Sequence, residues 1–202
     1  MHDYRAIFLD IDGTLTQPGH SAPPASAVAA IESARRAGRR VFLCTGRCEA
    51  MLKPLLHCAD FDGYVASSGG LVVVGGRDVF DCPMTPQEQA HVLTALSDNG
   101  VFRTAQTRMG AYCDEGFRDF LRARDVQNAS GVKQVCAAIG VDPADSICFG
   151  DSLNDLPMFA AAGFSVCMGN GGDAAKQSAD AVCDSVEAGG LAKAFADFGL
   201  LA

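Results

Sequence analysis

Apolar residues fall along this chain in two rhythms. Short runs that end on a polar residue read as buried strands: Ala6-Ile7-Phe8-Leu9 before Asp10, Arg40-Val41-Phe42-Leu43-Cys44 before Thr45, Tyr64-Val65-Ala66-Ser67, Ser146-Ile147-Cys148-Phe149, Phe164-Ser165-Val166-Cys167 and the short Ala181-Val182-Cys183. Between them lie segments with helical character: Ser26 to Gly38, through Val28, Ile31 and Ala34, then Glu49 to His57, Gly131 to Ile139, Leu153 to Ala162, Asp173 to Ser178 and Gly190 to Phe198. Gly38 is placed to end the first of these, because glycine enters the left-handed conformation at little cost. Strand alternating with helix predicts an α/β fold, a Rossmann-like parallel sheet with helices on both faces.

The rhythm changes after residue 70. Leu71-Val72-Val73-Val74 and Asp78-Val79-Phe80, joined by Gly75-Gly76, look like a hairpin. Pro86 to Asp98 reads as an amphipathic helix ending near Gly100, and 101–127 has weaker periodicity. These features divide the chain into a first part of the core over 1–81, a small inserted α+β cap over 82–126 and a second part of the core over 127–202.

Composition narrows the function. A chain of 202 residues can build one sizeable core plus a small accessory piece. The formal net charge of −8 disfavours nucleic acid and anionic membrane surfaces, which are bound mainly through Lys and Arg. An acidic protein that handles phosphates needs local positive charge, and a divalent cation would supply it. Nine cysteines, an odd number with no Cys-x-x-Cys pair, lie mostly in apolar runs and read as reduced thiols packed in the core. The start, Met1-His2-Asp3-Tyr4-Arg5, lacks a signal-peptide pattern, and no apolar run is long enough to span a bilayer, so a cytoplasmic protein is expected.

The chemistry-bearing residues gather at strand ends. Asp10, Thr45 and Asp151 each follow a predicted strand, and in an open parallel sheet ligands bind at those carboxyl ends. Asp10-x-Asp12 brings two carboxylates to one side of an extended segment, and Gly13 allows a tight turn. Such a pair suits a nucleophile and a general acid/base, since a carboxylate can attack phosphorus; a solvated acidic turn is the bland reading. Asp151, Asn154 and Asp155 put three oxygen donors at a helix start, which suits a hard cation, although Asp151 or Ser152 could equally cap the helix. Asp10, Asp151 and the Asp12 carbonyl would together hold one Mg2+. Thr45-Gly46-Arg47 offers a hydroxyl and backbone N–H groups before a helix, an arrangement that binds anions.

In this order, Asp10-Ile11-Asp12-Gly13-Thr14-Leu15, Thr45-Gly46-Arg47, Gly150-Asp151-Ser152-Leu153-Asn154-Asp155, Met168-Gly169-Asn170-Gly171 and Ala179-Asp180 resemble the haloacid dehalogenase-like (HAD) superfamily, and within it the Cof-type class II hydrolases. The resemblance covers roughly 4–81 and 127–187. It implies Asp10 as nucleophile and Asp12 as acid/base, with Thr45, Gly46 and Arg47 at the phosphoryl group. Asp10, Asp12 and Asp151 would hold magnesium, supported by Asn154 and Asp155. The implied activity is hydrolysis of a small phosphomonoester, a sugar phosphate or related metabolite.

Two features depart from that pattern. The lysine usual in the family falls at Asn128, which can touch phosphate but carries no charge; Lys133 and Arg124 are the alternative cations. The cap is short, which favours a bulky substrate, a homo-oligomer in which a neighbouring copy closes the site, or a truncated form of limited activity. A phosphate-ligand binding or regulatory protein is therefore the rival reading, and a phosphomutase a further one.

Overall fold

The computed structural model describes residues 2–17, 19–98, 104–108, 111–113 and 126–202. In chain order the strands are β1 (Ala6–Leu9), β2 (Arg40–Cys44), β3 (Gly63–Ala66), β4 (Leu71–Val74), β5 (Arg77–Asp81), β6 (Thr104–Gln106), β7 (Ala111–Cys113), β8 (Ser146–Gly150), β9 (Phe164–Cys167) and β10 (Ala181–Val182). The helices are α1 (Ala25–Arg36), α2 (Glu49–Leu56), α3 (Pro86–Asp98), α4 (Val126–Ile139), α5 (Leu156–Ala161), α6 (Asp173–Ser178) and α7 (Gly190–Asp197).

Eight strands form one sheet in the order β10-β9-β8-β1-β2-β3-β4-β5. It is parallel from β10 through β3, and β4 and β5 close one edge as the expected antiparallel hairpin. Because side chains alternate along a strand, each buried strand feeds two cores. Ile7, Leu9, Val41, Leu43, Ile147 and Phe149 point to the face covered by α1, α2 and α7. Ala6, Phe8, Phe42, Cys44, Val65 and Cys148 point to the face covered by α4, α5 and α6. Phe8 and Phe42 stack there with ring centroids 5.4 Å apart.

Strand β1 lies between β2 and β8, with Leu9 level with both Leu43 and Phe149. The chain leaves β1 for one side of the sheet and returns to its other side through β8. That is the point at which an open α/β sheet forms a crevice at its carboxyl edge. Cys44, Cys48, Cys136, Cys148 and Cys167 are buried free thiols, as core packing requires. Among the described residues no helix is long and apolar enough to cross a membrane.

Two helix starts differ from the sequence reading. The Leu153 segment begins with a short 3-10 turn, Leu153–Asp155, before α5. Helix α4 begins at Val126 rather than Gly131, so Asn128 falls in its first turn. Its run Gln127-Asn128-Ala129-Ser130 carries no apolar face of its own, and only the later turns, through Val132, Val135 and Cys136, supply one. Within 82–126 the described residues form α3 and the separate β6–β7 ribbon. Thr85 and Glu88 cap α3 reciprocally: Glu88 N–H donates to Thr85 Oγ1 at 3.2 Å, and Thr85 N–H to Glu88 Oε2 at 2.7 Å.

The close seat of α4 on the sheet depends on Gly131, where a Cβ would lie 2.5 Å from Val65 Cγ1. We expect Gly131→Ala to destabilise the protein by about 1–2 kcal/mol, because overpacking outweighs the gain in helix propensity. In a double-mutant cycle followed by chemical denaturation, Gly131→Ala combined with Val65→Ala should cost less than the sum of the two single changes.

Candidate active site

Asp10, Thr45 and Asp151 all stand one residue beyond a strand, or at its last turn, on the carboxyl edge of the sheet. Asp10 is 3 % exposed and its N–H donates to the Phe149 carbonyl, which ties the start of the loop to β8. One oxygen each of Asp10, Asp151 and Asp155 lies within 4.8 Å of the others. Asp155, expected to support the site from behind, is therefore a member of the carboxylate cluster itself. It is 1 % exposed, and its Oδ2 accepts from the N–H groups of Asp151 and Ser152, both at 2.9 Å. Asn154 is exposed on the outer side of this loop, where its Oδ1 accepts from the Ser152 hydroxyl.

Gly13 is required for this approach. Its φ is +87°, and a Cβ there would lie 2.3 Å from Asp151 Oδ2. Asn170 holds the same turn from the β9 side, donating through Nδ2 to the Gly13 carbonyl at 2.7 Å and accepting through Oδ1 from Val186 N–H at 3.0 Å. The motif Met168-Gly169-Asn170-Gly171, which in sequence reads as a structural turn that could border the substrate entrance, is a strap across the Asp10–Gly13 loop.

Three carboxylates this close repel one another. At an effective dielectric constant of 20, two unit charges about 5 Å apart cost roughly 3 kcal/mol. Burial raises the Asp10 carboxyl well above its ordinary range, with Asp155 and then Asp151 and Asp12 adding to the shift; the Ile11 N–H offsets part of it. Asp151 is pushed up to about 7, first by burial and then by Asp155 and Asp12. The Thr14 hydroxyl approaches it and favours its charged form. Yet neither Thr14 Oγ1 nor Asp151 Oδ1, both buried, finds a well-aligned hydrogen bond. A buried acceptor without a donor, among three oxygens of like charge, fits a hard divalent cation.

Asp12 lies apart from that cluster. Its carboxylate accepts both arms of the Arg47 fork, with Nε to Oδ2 at 2.9 Å. Arg47, expected at the phosphoryl group, is thus first the partner of Asp12, a pairing that sequence reading missed. Thr45 is buried and its Oγ1 accepts from Arg47 N–H at 3.2 Å, which shapes the Thr45-Gly46-Arg47 turn. Arg124 lies outside the described residues, as does the Asn128 side chain. Lys133 is exposed on α4. Arg108, in the turn between β6 and β7, pairs with Glu49 at 2.7 Å and Asp78 at 2.6 Å, and the Tyr64 hydroxyl donates to the same Glu49.

A family model of haloacid dehalogenase-like hydrolases matches residues 7–128 and 119–195. The chain belongs to that family. A phosphoglycolate phosphatase of Methanothermobacter thermautotrophicus is 30 % identical over 220 residues, covering 96 % of this chain and 98 % of the relative. A phosphoglycolate phosphatase of Archaeoglobus fulgidus is 28 % identical over 222 residues, covering 98 % of each. Among solved structures, BT1666 from Bacteroides thetaiotaomicron, described among phosphatases of the same superfamily, superposes with a TM-score of 0.85 at 19 % identity, over 98 % of this chain and 96 % of that one. The subclass IIB sugar phosphatase BT4131 gives 0.82 at 22 %, over 98 % and 100 %. The structural matches agree with the observed fold.

The carboxylate cluster makes a prediction about stability. A carboxyl whose pKa is raised on folding binds more protons in the folded state between its unfolded and folded values. Metal-free protein should therefore lose stability as the pH rises from about 4 through about 7, the range set by Asp151. Added Mg2+ should stabilise the protein more at pH 8 than at pH 5. Thermal melts at the two pH values, with and without Mg2+, check both signs.

Proposed function

We propose that this hydrolase is a magnesium-dependent phosphatase acting on a small phosphomonoester through an aspartyl-phosphate on Asp10. The observation that carries the reading is the buried Asp10 carboxylate grouped with Asp151 and Asp155 at the carboxyl edge, beside the Thr45 turn. Asp10, Asp151 and the Asp12 carbonyl would hold Mg2+, with Asp155 in the same carboxylate cluster; bound there, the ion would screen the carboxylates and polarise the phosphoryl oxygens.

The reaction follows from the chain's own groups. An Asp10 oxygen attacks phosphorus while Asp12 gives its proton to the departing oxygen. Asp12 then takes a proton from water, which attacks the aspartyl-phosphate, breaks its P–O bond and restores Asp10. The Thr45 hydroxyl and Gly46 N–H bind the phosphoryl oxygens. An anion in that turn competes with Asp12 for the Arg47 guanidinium, freeing Asp12 to carry the proton. The relatives named phosphoglycolate phosphatases make phosphoglycolate the first compound to assay, followed by sugar phosphates.

Hydrolysis of p-nitrophenyl phosphate should require Mg2+ and should fall at least ~1000-fold in Asp10→Asn, since loss of the nucleophile removes the covalent route. Turnover that survives this change would refute the aspartyl-phosphate.

The neutral Asn128 favours the second reading, a phosphate binder of low activity. Loss of a charged contact to the transferring phosphoryl group costs on the order of a hundredfold in rate. We expect Asn128→Lys to raise kcat by about that factor. An unchanged kcat would mean that another cation already serves, or that the position is not the equivalent one.

A further inference from the structure

The turn that follows β3 holds a hydroxyl that the reaction described above does not use. Ser67 and Ser68 both adopt the left-handed conformation, with φ of +51° and +54°, and Gly69 follows at +93°. Glycine and, to a lesser degree, asparagine enter that region cheaply, whereas serine pays for its Cβ. The conformation is enforced from the phosphate turn: Ser67 N–H donates to the Arg47 carbonyl at 2.8 Å and Ser68 N–H to the Thr45 carbonyl at 3.2 Å. Helix α4 packs against the other side of the turn.

Ser68 is 8 % exposed; no hydrogen bond holds its hydroxyl among the described residues, and the oxygen itself is not sealed from solvent. Its Oγ faces the turn that binds anions, since a Cβ placed on Gly46 would lie 3.4 Å from it. Glycine at this position would relieve the backbone and remove the hydroxyl together. A hydroxyl held on a strained backbone beside Thr45 and Gly46, with its proton uncommitted, is a donor placed for an oxygen that arrives from outside the protein.

We propose that Ser68 is a substrate-contacting residue, whose hydroxyl donates to a phosphoryl oxygen held in the Thr45–Gly46 turn. The inference rests on the phosphatase reading for its substrate, but the contact itself needs only a bound phosphate. A hydroxyl facing an anionic oxygen donates, and such charge-assisted bonds are the strong ones. The contact would act on the phosphoryl group rather than on the leaving group, so free inorganic phosphate should feel it as well.

The test compares wild type, Ser68→Ala and Ser68→Gly in the full chain. Ser68→Ala removes the hydroxyl and keeps the strained backbone; Ser68→Gly removes both, so it guards against a fold that merely fails. Calorimetry with inorganic phosphate and Mg2+ gives Kd, and p-nitrophenyl phosphate gives kcat and KM. We expect Ser68→Gly to melt at or above the wild-type temperature. Both variants should weaken phosphate binding and lower kcat/KM by roughly 10- to 100-fold, as loss of a hydrogen bond to a charged group does. Phosphate binding and turnover in Ser68→Gly within twofold of wild type would overturn the proposal, even if Ser68→Ala were impaired. Weaker phosphate binding in both variants of a protein with no turnover would sustain Ser68 and reject the phosphatase. Turnover lost in Asp10→Asn but kept in Ser68→Gly would do the reverse. A wild type that neither binds phosphate nor turns over would defeat both.

Discussion

Everything around the crevice serves one costly arrangement: three carboxylates, Asp10, Asp151 and Asp155, brought within 4.8 Å of one another where little water can separate them. Left alone they would spread or take up protons, and burial already drives Asp10 and Asp151 toward the protonated form. The fold prevents the spreading by placing β1 and β8 side by side in parallel, so that their ends present acids at the same height. Gly13 then admits the Asp151 carboxylate against the backbone, the N–H groups of Asp151 and Ser152 pin Asp155, and Asn170 straps the Asp10–Gly13 loop. Together they fix both the loop backbone and the Asp155 carboxylate. A cation of fixed size could therefore find its donors already in place, without paying to order them.

The strands and the acids at their ends were legible from the chain because both obey local rules. An apolar run followed by an aspartate or threonine announces a strand and its functional end, and parallel pairing follows from alternation with helices. The contacts that complete the site obey no local rule. Arg47 meets Asp12 across 35 positions and Asn170 meets Gly13 across 157, through loops whose shape depends on the finished sheet. Arg47 looked like a phosphate ligand because an arginine after Thr-Gly can be one; only the position of its guanidinium shows that an internal carboxylate comes first. Ser68-Gly69-Gly70 reads from sequence as a strand end near the site, but serine gives no hint of a positive φ, and the strain is imposed by carbonyls of the neighbouring turn. Helix α4 was placed five residues late because periodicity appears only where the helix touches the sheet, and its first turn carries no such stripe.

The β6–β7 turn is tied by charge to the start of α2. Arg108 spans Glu49, at the start of α2, and Asp78, on β5, while Tyr64 donates to the same Glu49. Ion pairs at such exposure are screened by salt and add little to stability, so their value is orientation. Glu49 is two residues from Arg47, and the Thr45-Gly46-Arg47 turn leads directly into α2.

The charge balance of the site also bears on what kind of catalyst it is. Asp10, Asp12, Asp151 and Asp155 bring four carboxylates to the crevice, and Arg47 is the cation that the described residues place beside Asp12. One Mg2+ and one guanidinium leave that set negative before a phosphate arrives. A lysine at position 128 would bring it to neutrality; asparagine does not. By our proposal a phosphate dianion here would draw on Mg2+ and on Arg47 as it leaves Asp12, and neutral donors, the Thr45 hydroxyl, the Gly46 N–H and the Ser68 hydroxyl, would complete its contacts. Neutral donors orient an anion well but answer growing charge weakly, because they contribute dipoles rather than a net positive charge. If these neutral donors hold the phosphoryl group as proposed, they would orient it while limiting how strongly the site answers the charge of the transition state.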